Sequence, residues 1–279
     1  MKQMRNLILA AVALTAAVIA PVASASAATL QEIVDRGTLK IGYITSPPST
    51  VKDPVSGELS GFYVDAAREI ALQMGVKAEF VETTWGNFVA GLQSGQFDLS
   101  IAGTFATVKR SMAIDFTRPV AYIGYGTLVR ANDDRFKSFA DINKPDVRVA
   151  VVQGGSAEEY ARRNLPDAEI VTLASGNLTA PFIEVASNRA DVAIEDAFTM
   201  NRFIKEQPSV RNIFRDHPYN LTPIAWATAK GNGDLLKVVD TGLGILISSG
   251  QFDAMARAYG DVGTRFIAIP YLTGFPRQN

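Results

Sequence analysis

Short strand-like runs alternate with helical repeats along most of this chain. That rhythm confines it to a parallel sheet covered by helices on both faces. Leu30 to Asp35 is helix-like, and Leu39-Lys40-Ile41-Gly42-Tyr43 reads as a strand that Ser46-Pro47-Pro48-Ser49 breaks into a loop. Gly57 to Gly61 reads as a turn. Val64, Ala67, Ile70, Ala71 and Met74 then recur at helical spacing until Gly75 supplies a stop. Val76 to Val81 predicts a strand, Phe88 to Leu92 a helix and Phe97 to Ile101 a strand.

The rhythm restarts after Tyr125. Arg148 to Val152, Glu169 to Leu173, Asp191 to Ile194 and Ile224 to Ala229 read as strands. Ala157 to Asn164, Leu235 to Ile247 and Phe252 to Tyr259 read as helices. Two α/β units with no Pro- or Ser-rich linker between them predict two lobes joined by short, stiff crossings. Ligands of open parallel sheets sit beyond the carboxyl ends of the strands, so facing lobes would share a cleft there.

The N-terminal residues predict export. Lys2 and Arg5 precede an apolar run from Leu7 to Val22, followed by the small residues Ala23 to Ala28. This order reads as a cleavable signal peptide over residues 1–27 and a periplasmic mature protein. At about 16 residues the run is short for a membrane span. The chain contains no Cys, which excludes disulfides and attachment of lipid to a cysteine. Without Lys2 and Arg5, 25 of the 27 basic residues remain against 28 acids, a formal charge of −3. Nothing in that balance suggests a nucleic acid or an anionic membrane as partner. His217 is the only histidine, which leaves no metal constellation short of an all-oxygen site. There is also no phosphate-cradling glycine loop, so no cofactor is expected.

Several motifs together resemble a known family. Gly57-Glu58-Leu59-Ser60-Gly61-Phe62-Tyr63-Val64-Asp65 is similar to the G-x-L-x-G-F-x-V-D of family-3 solute-binding proteins. Leu92 to Asp98, Thr107 to Arg110, Asp115 to Pro119, Val151 to Ser156 and Asp191 to Asp196 resemble further family motifs in the same order. The resemblance implies a two-lobed Venus-flytrap α/β fold, each lobe a mostly parallel sheet flanked by helices. Lobe 1 would comprise residues 28–122 and 224–279, lobe 2 residues 123–223, with hinges at Tyr122-Ile123-Gly124 and Thr222-Pro223-Ile224. It further implies a monomer that delivers an amino acid or related carboxylate to the permease of an ABC importer, and no catalysis.

The same resemblance selects the site residues. Arg110 could be an ordinary surface arginine, but the surrounding pattern implies a guanidinium fork on the ligand carboxylate. Thr107 reads as the cap of its helix. Gly155 and Ser156 open the next lobe's first helix, where Ser156 and Glu159 fit a capping box and free N–H groups could reach the same carboxylate. Asp196 would receive the ligand ammonium, or else cap a helix, and Glu195 is expected to face away. Trp85 and Tyr43 could wall the ligand side chain or simply pack.

Two positions depart from the pattern. Phe105 stands where the family often has Ser or Thr, which leaves the ammonium leaning on Asp196 and on backbone near Gly103. Ser49 stands where an aromatic residue is usual. Gly154 to Leu165 also resembles a branch that contains periplasmic cyclohexadienyl dehydratases. In those enzymes a glutamate lies three residues beyond the aspartate matched by Asp196; here that position is Thr199, which supplies no acidic proton near neutral pH.

Overall fold

The computed structural model describes residues 27–260. The predicted leader, apart from Ala27, lies outside the described residues. The strands are β1 (Thr38–Tyr43), β2 (Val51–Lys52), β3 (Leu59–Ser60), β4 (Lys77–Glu82), β5 (Leu99–Phe105) and β6 (Ile114–Phe116). They continue as β7 (Ala121–Arg130), β8 (Arg148–Val152), β9 (Glu169–Leu173), β10 (Val192–Asp196), β11 (Val210–Asn212) and β12 (Tyr219–Ala229). The helices are α1 (Leu30–Asp35), α2 (Phe62–Gln73), α3 (Phe88–Gln93), α4 (Val108–Ser111) and α5 (Phe139–Ile142). After these come α6 (Ser156–Asn164), α7 (Ala180–Ala186), α8 (Ala197–Glu206), α9 (Gly233–Ser248) and α10 (Gln251–Ala258).

The main sheet runs β4-β1-β5-β12-β7-β10-β8-β9, with β6 on β12 and β11 on β7. Its two ends are parallel, as predicted: β4-β1-β5 on one side and β10-β8-β9 on the other. Within this sheet, among the described residues, only the pairings made by the long strands β7 and β12 are antiparallel. These strands carry the chain between the two lobes of the fold. The predicted crossings lie side by side in register, Tyr122 opposite Pro223 and Ile123 opposite Thr222.

The lobe-1 core is aromatic. Tyr63 packs edge-on against the fully buried Trp226 at 5.7 Å, and Phe62 against Phe252 at 5.8 Å. Apolar residues spaced three and four apart on α2 supply this face. In lobe 2 the matching cluster joins Tyr125, Tyr160 and Tyr219 to Phe139 and Phe214.

Some element boundaries differ from expectation. Leu59 and Ser60, read as a turn, pair with Val51 and Lys52. The strand expected from Phe97 begins at Leu99 and continues to Phe105. Phe97 is instead an anchor whose ring fills the space where side chains on Gly42 and Gly91 would stand. β12 starts at Tyr219 rather than Ile224 because Asn220, at φ 52°, absorbs a register shift that periodicity does not reveal. The capping box expected at Ser156 is absent: Gly155 is the cap of α6, and Glu158 takes the Gly154 N–H at 2.7 Å.

One aspartate ties down each lobe at equivalent places. Asp98 accepts the Lys40 N–H at 2.8 Å and pairs with Arg36. Asp191 accepts the Arg148 N–H at 3.1 Å and Nε at 3.0 Å, and also pairs with Arg130 and Arg135. Burial alone would raise the Asp191 carboxyl, but hydrogen bonds from Arg148 and Arg135 outweigh it and hold the group well below its ordinary range. A depressed carboxylate stabilises the fold above the unfolded value near 3.8 and loses that contribution as pH falls below it. Asp191→Ala should therefore cost about 3 kcal/mol at neutral pH, since several charged donors lose one acceptor. Urea melts at two pH values check this: the deficit should narrow below about pH 4, and a neutral-pH deficit under about 1 kcal/mol would contradict it.

Candidate functional site

A cavity lies where the two lobes meet, at the carboxyl ends of β5 and β10. About 60 Å³ of it is open to the centre of a water molecule. That is well above the ~10–15 Å³ a cavity needs to admit one water.

Lobe 1 supplies the apolar wall. Five aromatic residues line the space: Phe62, Tyr63, Trp85, Phe105 and Phe198, the last from lobe 2. Gly103 lines it as well, with φ +62°, and a Cβ there would stand 2.6 Å from the Tyr63 ring. The glycine thus lets β5 and the Tyr63 ring meet at the cavity. Phe105 is both wall and core: its ring lines the cavity and stacks on Tyr125 at 5.0 Å. Trp85 is buried in the wall, and its Nε1–H has no hydrogen-bond partner.

Lobe 2 supplies the polar wall. Gly155 and Ser156 line the cavity at the start of α6, and the Ser156 side chain hydrogen-bonds Tyr125. Burial, more than any other influence, lifts the Tyr125 hydroxyl above its ordinary value. Asp196 lines the cavity and also caps α8, accepting the Thr199 N–H at 2.7 Å. Both readings of this residue are thus realised together.

Glu195 is expected from the sequence to face away. The residue borders the cavity beside Asp196 near the end of β10, and its side chain is buried. Its Oε1 accepts the Asp196 N–H at 2.9 Å, and its Oε2 has no hydrogen-bond partner. Burial first, then repulsion from Asp196, push its carboxyl up to about 8, against a smaller opposing pull from Arg110.

Two other residues singled out from the sequence lie outside the cavity lining. Arg110 does not line the cavity. Its guanidinium is satisfied one layer behind, donating to Thr104 Oγ1 at 2.6 Å, the Phe105 carbonyl at 3.2 Å and the Gly154 carbonyl at 3.0 Å. The last bond crosses from lobe 1 to lobe 2. Thr107 caps α4 as predicted, with the Arg110 N–H donating to its hydroxyl at 3.2 Å. Tyr43 is also absent from the cavity, because it packs edge-on against Phe80 at 6.5 Å.

The residues that sequence reasoning missed or set aside are Phe62, Tyr63, Phe198, Thr199 and Glu195. Phe198 and Thr199 carry a weak signal in following Asp196 on the same helix; Phe62 and Tyr63 read as core and serve as both.

Residues 39–262 match the family described as bacterial extracellular solute-binding proteins, family 3. The chain belongs to that family. The family-3 fold is seen again in the crystal structure of the ancestral amino acid-binding protein AncCDT-1, a precursor of cyclohexadienyl dehydratase. It is 36% identical, aligns over 82% of this chain and 98% of its own, and has a TM-score of 0.73. A probable amino-acid ABC transporter periplasmic-binding protein of Sinorhizobium fredii, y4tE, is 30% identical over 67% of this chain, which spans 62% of that relative's length. The cyclohexadienyl dehydratase of Pseudomonas aeruginosa is 25% identical over 79% of this chain and 82% of its own.

Closure of the cleft requires close backbone approach. Gly154, at φ +73°, stands against Gly86 of the other lobe, and a Cβ on it would lie 2.7 Å from the Gly86 Cα. Gly154→Ala should hold the lobes apart and enlarge the radius of gyration measured by X-ray scattering. It should also cost about 1–2 kcal/mol from the left-handed backbone alone. Unchanged scattering and stability would show that the two glycines do not limit closure.

Proposed function

We propose that this protein is a periplasmic binding protein that captures a small amino acid between its lobes and presents it to an ABC importer, without catalysing a reaction. The observation that carries the reading is Asp196, a buried carboxylate on a cavity walled by five aromatic residues. An ammonium group buried there gains an opposite charge that offsets its loss of water. The ligand carboxylate is placed at the start of α6, where Gly155 and Ser156 line the cavity and the helix end favours negative charge. Arg110 backs that position from behind and joins the lobes through Gly154. Phe105 and Trp85 hold the aliphatic part. We place the lobe limits at residues 28–122 with 224–279, of which 261–279 lie outside the described residues, and 123–223. We read the protein as an exported monomer; a membrane permease as its partner is supported by relatives that are amino-acid ABC transporter binding proteins.

The dehydratase relative prompts a second reading. Thr199 lines the cavity where the family resemblance implies the enzymes' glutamate, and a hydroxyl is no acid near neutral pH. Glu195 is the one cavity group whose raised carboxyl could donate a proton. No conversion of prephenate or arogenate is expected. Phenylpyruvate or phenylalanine formed in proportion to protein, and lost in Glu195→Gln, would replace binding with catalysis.

Asp196→Asn separates charge from capping, because asparagine caps a helix about as well as aspartate. Amino-acid affinity should fall by about a hundredfold or more, the usual cost of truncating a buried ionic partner, while the melting temperature holds. Calorimetry against a panel of amino acids, guided by native mass spectrometry for any retained solute, measures it. A loss under about tenfold would remove Asp196 from the site.

A further inference from the structure

Arg202 is exposed on α8 and lies outside the cavity lining, yet its guanidinium joins the two lobes. Its Nη1–H donates to the Pro47 carbonyl of lobe 1 at 2.6 Å. Its guanidinium carbon also lies 5.8 Å from the centre of the Phe198 ring, one turn back on α8. Pro47 and Phe198 both line the cavity. Arg202 therefore ties two residues of the cavity wall, one from each lobe, together from outside.

Two wider grooves flank the cavity, and Arg202 lines both. One, of about 570 Å³, backs onto the crossings at Tyr122, Ile123 and Gly124. The other, of about 700 Å³, has polar walls, Thr45 and Thr84 from lobe 1 and Asn177 and Thr179 from lobe 2. It shares Pro47 and Thr199 with the cavity and includes no residue of the crossings. Lobes that hinge at the crossings part on this side, so the polar groove is the way out.

We propose that Arg202 is the gate between the cavity and the polar groove, and that its bond to Pro47 sets how slowly a captured solute leaves. This rests on the proposed capture of an amino acid between the lobes. The acceptor is fixed in place. The loop that presents it is closed by the Ser46 N–H on the Thr50 carbonyl at 2.9 Å and the Ser49 N–H on the Ser46 carbonyl at 3.0 Å. The donor is charged and the bond short, which marks the stronger class of hydrogen bond. Arg110, the other guanidinium that crosses between lobes, keeps two acceptors in its own lobe, Thr104 and Phe105. Among the described residues Arg202 has only the bond to Pro47. When the lobes part, Arg110 loses one bond of three and Arg202 loses its hydrogen-bonded anchor. Its guanidinium then returns to water, so the bond is strong enough to change a rate and too weak to prevent opening.

The order of events fixes the kinetic sign. A solute enters while the lobes are apart, before the bond exists, so association is indifferent to Arg202. Release requires the bond to break first. Changes at an interface act mostly on release.

Arg202→Met keeps the apolar stem against Phe198 and removes the donor, whereas Arg202→Lys keeps a cationic donor. The position is exposed, so both variants should melt with the unaltered protein. Stopped-flow fluorescence of Trp85 on the cavity wall, with each standard L-amino acid as a separate probe, gives association and release rates. Arg202→Met should release a bound amino acid about fivefold faster, with association within about twofold. Arg202→Lys should return release to within about twofold of the unaltered protein. A change in release under about threefold in Arg202→Met, a loss carried by association instead, or a lysine variant that releases as fast as the methionine variant would overturn the gate. If no amino acid binds, the proposed function falls, and the gate is decided without a ligand. The chain has no cysteine, so Val55→Cys in lobe 1 and Asp134→Cys in lobe 2, both exposed, take a pair of dyes whose energy transfer reports lobe separation. Arg202→Met should then shift the population toward separated lobes, and an unchanged distribution overturns the gate.

Discussion

The antiparallel pairing of β7 with β12 is the constraint on which the rest depends. Both strands continue from one lobe into the other: β5 of lobe 1 is hydrogen-bonded to β12, β10 of lobe 2 to β7, and the two long strands to each other. They set the distance and angle at which the carboxyl ends of β5 and β10 meet. Gly103 and Phe105 sit at one of those ends, Glu195 and Asp196 at the other. A wall of rings and a wall of carboxyls thus face each other because two strands pair, not because any residue reaches far.

Much of this was legible in the sequence. The alternation of strand and helix signals, two aspartates at the head of sheet strands and the order of the family motifs specify the fold almost completely. Those signals survive because they are local: a helix face or the run from Gly95 to Asp98 is written in neighbouring residues. Strands β6 and β11 were not legible, since three residues hold too little pattern to show a period.

Part of the lining of the cavity between the lobes was legible in the sequence. Gly103, Phe105, Trp85, Gly155, Ser156 and Asp196 all reach the cavity. Arg110 and Tyr43 do not, because other parts of the protein satisfy them first: three acceptors for the guanidinium, the Phe80 ring for the tyrosine.

The bonds that clasp the two lobes share a form. Arg110 donates to the Gly154 carbonyl, and Arg202 donates to the Pro47 carbonyl at 2.6 Å. In each case one side of the clasp is a side chain and the other is main chain. Substitution can delete a guanidinium but cannot delete a carbonyl, so mutational drift can loosen this grip from one direction only. The loops that carry the acceptors, one in each lobe, are therefore free to change their side chains, within what the backbone tolerates, without undoing the clasp. Arg110 and Arg202 are thus two points at which substitution loosens the closed molecule.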